Sequence, residues 1–237
     1  MRGGWAVAAI TLVLVSAGAA RAQSQADTCR TGEGKTAIAA CTAIIRSGKA
    51  GSAELYHAYY NRGVLYRDGK QHALAVRDFT QAMRLDPMNS DAVLNRGVSY
   101  GALGQYRRSI ADYTAAITLD PHKADAWNAR CYDRAIIGEL EKALADCNKA
   151  LQLQPDYPEG RDSRGFLYLK LRRYDAAIAD YDAALKLDPR KAVSLYGRGL
   201  AKHARGDRGG GDADIAAAKA LDPSLPRLFR EIGVRLR

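Results

Sequence analysis

From residue 56 to residue 225 the apolar positions fall in paired runs spaced i, i+3, i+4 and i+7, and the pair recurs every 34 residues. Each run is the stripe of an amphipathic helix, so the pattern predicts helix, turn, helix, five times over. Prolines mark the period at 87, 121, 155, 189 and 223. Leu-Asp precedes four of them, and Leu153-Gln154 precedes the third. The proline ends the second helix because it offers no amide donor to continue it. Glycine-containing turns separate the helices of a pair, as in Asp68-Gly69-Lys70, Leu103-Gly104-Gln105 and Ile137-Gly138-Glu139. The blocks are 56–89, 90–123, 124–157, 158–191 and 192–225, with no insertion or deletion between them.

Certain positions are held through the blocks. A small residue stands eighth (Gly63, Gly97, Cys131, Gly165, Gly199), and a bulky one follows at Tyr66, Tyr100 and Tyr168. A larger side chain stands twenty-fourth in most blocks (Phe79, Tyr113, Tyr181, Ile215), and alanine is always twenty-seventh (Ala82, Ala116, Ala150, Ala184, Ala218). This pattern resembles the tetratricopeptide repeat. The resemblance implies an all-α fold, an α-solenoid of five helix-turn-helix repeats, because one hairpin cannot bury its own apolar face and stacking supplies a shared core.

The flanks read as ends of that stack. Residues 23–55 form an N-terminal segment in which Ala37–Ile44 echoes the second helix of a block, a degenerate half-repeat. Residues 226–237 are expected to form a capping helix with Leu228, Ile232 and Leu236 on its apolar stripe, joined by Phe229; a basic membrane-surface helix is the other reading of this segment. Residues 1–22 open with Arg2, run apolar from Trp5 to Val15 and finish Ala20-Arg21-Ala22, the layout of a secretory signal peptide. An uncleaved anchor is the alternative, although the apolar run is short of the roughly 20 residues a span needs. Export, to the periplasm in a Gram-negative source, is therefore expected, with no membrane span after cleavage.

The family resemblance also implies where a partner would lie. The first helices of successive repeats line a concave groove, faced by the second, fifth, sixth, ninth and twelfth block positions. Here these give Tyr60, Asn61, Val64, Leu94, Asn95, Val98, Asn128, Tyr132, Phe166, Leu169, Tyr196 and Leu200, with Asp91, Asp125, Glu159 and Asp162 as an acidic edge. An aromatic and aliphatic floor with amides suits an extended peptide or a short helix. Several of these residues could instead pack between neighbouring helices. The basic residues of the family's carboxylate-clamp members are missing: His57, Asp91 and Asp125 hold the second position, which favours a neutral or basic ligand segment.

Two features depart from the family pattern. Arginine is seventh in every block (Arg62, Arg96, Arg130, Arg164, Arg198) and aspartate twenty-third (Asp78, Asp112, Asp146, Asp180, Asp214). They are expected to form an ion-pair ladder within or between repeats; two solvated faces are the alternative. In the third block alone, cysteine fills both the small and the bulky position. Those positions face each other in the hairpin, so Cys131–Cys147 fits a disulfide, leaving Cys29 and Cys41 as a second pair. Reduced buried thiols are the other possibility.

Composition narrows the function. Hydrophobic residues are 47% and charged residues 26% of the 237, which excludes a disordered chain. The net charge of +10 could draw an anionic envelope surface through Arg107-Arg108, Arg172-Arg173 and Arg190-Lys191; nucleic acid is not expected without a basic aromatic stripe. No catalytic, cofactor or metal constellation emerges. His57, His72, His122 and His203 occupy unrelated positions, and Gly34-Lys35-Thr36 lacks the first glycine of a phosphate loop. Gly209-Gly210-Gly211 is expected to fray the start of the last second helix, and Arg205-Gly206-Asp207 reads as a turn. The sequence thus points to a non-enzymatic exported scaffold that binds a protein or peptide in its groove. The alternative is an envelope assembly factor docking an anionic partner through its basic convex surface.

Overall fold

The computed structural model describes residues 24–234, which are helical and carry no strand. The leader expected at 1–22, and Leu236 of the terminal stripe, lie outside the described residues. The chain divides into two compact units, Met1–Gly104 and Gln105–Arg237. The first contains α1 (residues 24–31), α2 (Gly34–Arg46), α3 (Ser52–Asp68), α4 (His72–Leu85) and α5 (Ser90–Ala102). The second contains α6 (Tyr106–Leu119), α7 (Ala124–Ile137), α8 (Leu140–Leu153), α9 (Pro158–Lys170), α10 (Tyr174–Leu187), α11 (Ala192–Arg205), α12 (Arg208–Leu221) and α13 (Leu225–Glu231). Within each unit consecutive helices pack against one another, and in the second α7, α9 and α11 also touch side by side. None of the described helices is long and apolar enough to cross a membrane.

The repeated Leu-Asp-Pro has a local cause. The amide after each second helix donates to the invariant alanine carbonyl four residues back, as Asp86 to Ala82, Asp120 to Ala116 and Asp188 to Ala184, at 2.8–3.0 Å. Proline has no amide to offer, so the aspartate carboxylate receives the next one: Met88 N–H to Asp86 (3.2 Å), His122 to Asp120 (3.0 Å), Arg190 to Asp188 (3.1 Å), Ser224 to Asp222 (2.8 Å). The chain therefore turns at a fixed place in each block.

The tight turn inside each pair is equally regular. Its fifteenth block position is left-handed every time: Lys70 (φ 58°), Gly104 (72°), Gly138 (88°), Arg172 (57°) and Gly206 (101°). In four of the turns the following amide reaches back to close the helix, for example Glu139 N–H to the Arg134 carbonyl at 2.9 Å. Gly69, next to Lys70, keeps an ordinary φ of −75°. The glycine in that turn is thus one residue away from where left-handed backbone calls for it.

Small residues let the paired helices meet. A methyl group added at Gly63 would sit 2.9 Å from the Phe79 ring, and one at Gly165 the same distance from the Tyr181 ring. In the third block the cysteines occupy this small-against-large contact. Cys131 and Cys147 stand at disulfide distance with Cα atoms 5.3 Å apart, and Cys29 and Cys41 do so at 4.8 Å, joining α1 to α2.

Two expectations need correction. The triple glycine does not fray: α12 begins at Arg208, with the Asp207 carboxylate accepting the Gly210 amide at 3.0 Å. This cap offsets the poor helix preference of glycine. The terminal helix starts at Leu225 and buries Leu225 and Phe229, with Ile232 buried at its C-cap, while Leu228 is exposed. Its stripe is i, i+4, i+7 from Leu225, because Leu225 joins Phe229 and Ile232 on one helical face.

Candidate functional site

The arginine and aspartate positions form bidentate pairs within single repeats. Arg62 donates through Nε and Nη2 to the two Asp78 oxygens at 2.7 and 2.8 Å, and Arg130 does so to Asp146 at 2.9 and 2.8 Å. Arg164 grips Asp180 at 2.7 and 2.8 Å, and Arg198 grips Asp214 at 2.7 and 2.6 Å. The remaining Nη1 reaches the second helix of the preceding block, Arg130 to Thr114 (3.0 Å), Arg164 to Asn148 (2.9 Å) and Arg198 to Asp182 (2.7 Å). Arg96 makes the same backward bond to Thr80 (3.3 Å), and its own-block aspartate, Asp112, falls in the other unit. One guanidinium thus ties three helices and spends its donors in a planar fork.

Arg62 shows the half-repeat at work. Its Nη1 finds Thr42 of α2 at 2.9 Å, 20 residues back, where the other arginines reach 16 back. The four extra residues are accommodated by the longer N-terminal part of α3. Further cations join the aspartates in the second unit: Arg134 to Asp146 (2.6 Å), Arg161 to Asp180 (3.1 Å) and Lys202 to Asp214 (2.9 Å). Burial opposes ionisation of Asp214, but its bonds from Arg198 and Lys202 hold the carboxyl below the usual range.

The groove positions fare differently in the two units. In Met1–Gly104, Tyr60, Asn61, Val64, Leu94, Asn95 and Val98 are all half-buried on α3 and α5. Asn95 braces these helices: its Nδ2 donates to the Asp91 carbonyl (2.9 Å) and to the Tyr60 hydroxyl (3.2 Å), and its Oδ1 accepts from Arg67. Arg67, at the twelfth block position, is a cation of this face that the sequence reading did not single out. Its position in the repeat was the available signal.

In Gln105–Arg237 the expected trough is not open. Phe166, Leu169, Tyr196 and Leu200 are only 3, 7, 4 and 5% exposed. They share one apolar cluster with Leu225 and Phe229 of α13 and with Ile232 at its C-cap, against which Tyr132 also packs. The Phe229 ring lies 4.8 Å from Tyr196 and edge-on to Phe166 at 6.5 Å, and Phe166 is 5.3 Å from Tyr132. The terminal helix therefore covers the first-helix face, where the sequence suggested a cap on the last exposed surface. Asn128 is also occupied, its Nδ2 directed to the Tyr157 hydroxyl at 3.4 Å while that hydroxyl donates to Asp125.

Part of the acidic edge in this unit is engaged internally. Lys191 bridges Glu159 (2.7 Å) and Asp162 (3.2 Å), and Ser194 donates to Asp162. The Lys191 bond draws the Glu159 carboxyl below its ordinary value. Asp133, one residue past Tyr132, is buried and accepts the Ser109 hydroxyl; burial pushes its carboxyl up to about 6, against the pull of that bond. Among the surface cations, Arg107, Arg172, Arg173 and Arg190 are exposed, whereas Lys191 is committed to the bridge.

These features define a protein built of stacked helix-turn-helix repeats. Family models described as tetratricopeptide repeat match residues 56–89, 94–158 and 138–195. The chain belongs to the tetratricopeptide repeat family. No curated protein matches it by sequence. Among solved structures it is similar to a tetratricopeptide repeat protein from Parabacteroides merdae, with 20% identity, 88% of this chain and 85% of that one covered, and a TM-score of 0.70. It is also similar to MamA (20% identity, 78% and 99% covered, TM-score 0.58). YrrB, described as having an unusual peptide-binding site, aligns at 19% identity over 78% and 94% of the two chains, with a TM-score of 0.56. At these identities the likeness establishes the fold.

Proposed function

We propose that the chain is a non-catalytic, exported scaffold that binds a protein segment along the first helices of its repeats, with the α3–α5 face as the part open to a partner. The observation that carries this reading is the row of half-buried side chains from Tyr60 to Val98. Val64, Leu94 and Val98 supply apolar area that association removes from water at about 25 cal/mol per Å². Asn61 supplies an amide for a peptide backbone, while Asn95 holds the floor in shape. A preorganised floor lowers the ordering cost of binding. YrrB, a protein of the same fold, is described as binding peptide, which supports the same class of role. The two cysteine pairs suit an oxidising compartment, in keeping with export, to the periplasm in a Gram-negative source.

The test places a photocrosslinking amino acid at Asn61 in the full chain and identifies the adduct formed in cells. The captured segment is then titrated against the purified protein. Leu94→Ala with Val98→Ala is expected to weaken binding at least tenfold, with little dependence on salt. Unchanged affinity would remove this face from the reading. A steep loss of affinity with salt would assign binding to the exposed arginine pairs, Arg107-Arg108 and Arg172-Arg173.

A further inference from the structure

The second unit displays an occupant on its own first-helix face. α13 presents Leu225 and Phe229, and Ile232 at its C-cap continues the row at i, i+4 and i+7; all three are buried in one cluster with Phe166, Tyr196 and Leu200, while Arg227, Leu228 and Arg230 face outward. This is the way an amphipathic helix seats in a groove, with a large ring at its centre. The far end is gripped by polarity: Lys170 Nζ donates to the Ile232 carbonyl and to the Ile136 carbonyl, both at 3.3 Å, serving the C-terminal ends of α13 and α7 together. A cation placed there satisfies carbonyls that the helices leave open. Burial lowers the Lys170 ammonium below its ordinary value, so these two carbonyls are its compensation for lost water. Seven residues are too few for a helix that is stable by itself in water. The helical form of α13 therefore depends on the face it covers.

We infer that the first-helix face of Gln105–Arg237 is a binding site for an amphipathic helix bearing bulky apolar side chains at i, i+4 and i+7 with an aromatic ring in the middle, and that α13 is its resident, exchangeable occupant. The inference rests on the proposed role of first-helix faces as protein-binding surfaces, and it assigns this one a ligand shape and an intramolecular competitor. An external helix of this kind gains access by displacing α13, so its apparent affinity is reduced by the fraction of molecules in which the face is covered. Lys170 selects for a helix that ends there, since only a terminal carbonyl is unpaired and can accept its bond.

The probe is a fluorescent peptide of residues 222–234, titrated into the full-length chain and into its Phe229→Ala/Ile232→Ala variant. The variant is expected to bind the peptide at least tenfold more tightly than the natural chain, and a peptide carrying Phe229→Ala to bind neither. Equal peptide affinity of the two chains, at equal helix content by circular dichroism, would overturn the inference. Hydrogen exchange on the natural chain gives an answer even where the variant folds poorly. Saturating peptide is expected to speed exchange of the amides at 229–232, and protection that does not change would equally overturn it. Concentration-dependent dimers of the natural chain that disappear on adding peptide would make a second copy the occupant, and so overturn the external-helix assignment. Leu94→Ala/Val98→Ala is expected to leave peptide affinity unchanged. Failure here with successful crosslinking at Asn61 would leave the proposed function standing.

Discussion

The first helices of the two units carry large apolar side chains on their expected groove faces and meet opposite fates. On α3 and α5, Tyr60, Val64, Leu94 and Val98 stay half-buried; on α9 and α11, Phe166, Leu169, Tyr196 and Leu200 are closed off. At the fifth and ninth positions the block pattern does not separate Tyr60, Val64, Leu94 and Val98 from Phe166, Tyr196 and Leu200. The difference comes from α13, which lies outside the repeats and brings Phe229 within 4.8 Å of the Tyr196 ring. A groove position in a repeat protein is thus a direction in which a side chain points, and its exposure depends on what else the chain has to lay over it. Three ladder aspartates of the second unit, Asp146, Asp180 and Asp214, each hold two cations: Arg130 with Arg134, Arg164 with Arg161, and Arg198 with Lys202.

The ladder offers the sharpest way to break this contrast. Asp146→Ala strands both Arg130 and Arg134 in a largely buried place and is expected to cost about 4 kcal/mol, near the middle of the range for removing one side of a buried pair. Asp78→Ala strands one guanidinium and is expected to cost about 3 kcal/mol. Urea denaturation of the two variants checks the order, and a reversed order would show that the extra cation adds nothing. Replacing Arg130, Arg134 and Asp146 together with leucines is expected to recover most of the loss.

Asp133 gives a smaller effect with a pH signature. Its native carboxyl, at about 6, holds a proton more tightly than in the unfolded chain, where an aspartate carboxyl titrates at its ordinary 3.8. The native state therefore binds more protons between those values, and stability falls as pH rises from about 4 through 6 and stays reduced above. Asp133→Asn removes that loss. The variant is expected to be more stable by about 3 kcal/mol at pH 7, with the advantage shrinking toward pH 4. Urea midpoints at both pH values decide it, and a pH-independent difference would count against the buried carboxyl.

The smallest effect concerns the left-handed turn residues. Arg172→Gly in the second unit and Lys70→Gly in the first each relieve a side chain held at positive φ. Each is expected to raise stability by about 1 kcal/mol. The gain should be alike in the two units, since the turn geometry is set within the repeat. Unequal gains would mean that the units differ at this level too.

Much of the architecture could be read from local chemistry. The 34-residue period, the helix pairs and their ends follow from amphipathic spacing and from the Leu-Asp-Pro stop, whose parts act within six residues of one another. The Arg62 and Thr42 bond gives physical content to the half-repeat reading of α2. The left-handed Lys70 and Arg172 were harder to see, because neither is glycine and only the block register places them. Arg67 and Tyr157 escaped for a related reason: each acts on a partner 28 or more residues away.

Residue order alone carried the 34-residue period, the helix pairs and their ends, and it put the arginine and aspartate positions forward as partners, while the structure decided that each arginine takes the aspartate of its own hairpin. The period, the pairs and their ends depend on helical periodicity and short-range turns, which a one-dimensional pattern carries in full. Whether a given face is open or covered was decided by tertiary packing. Leu225, Leu228, Phe229 and Ile232 satisfy more than one helical stripe, and only contact with Phe166, Tyr196 and Lys170 selects the phase and the place where that stripe is buried.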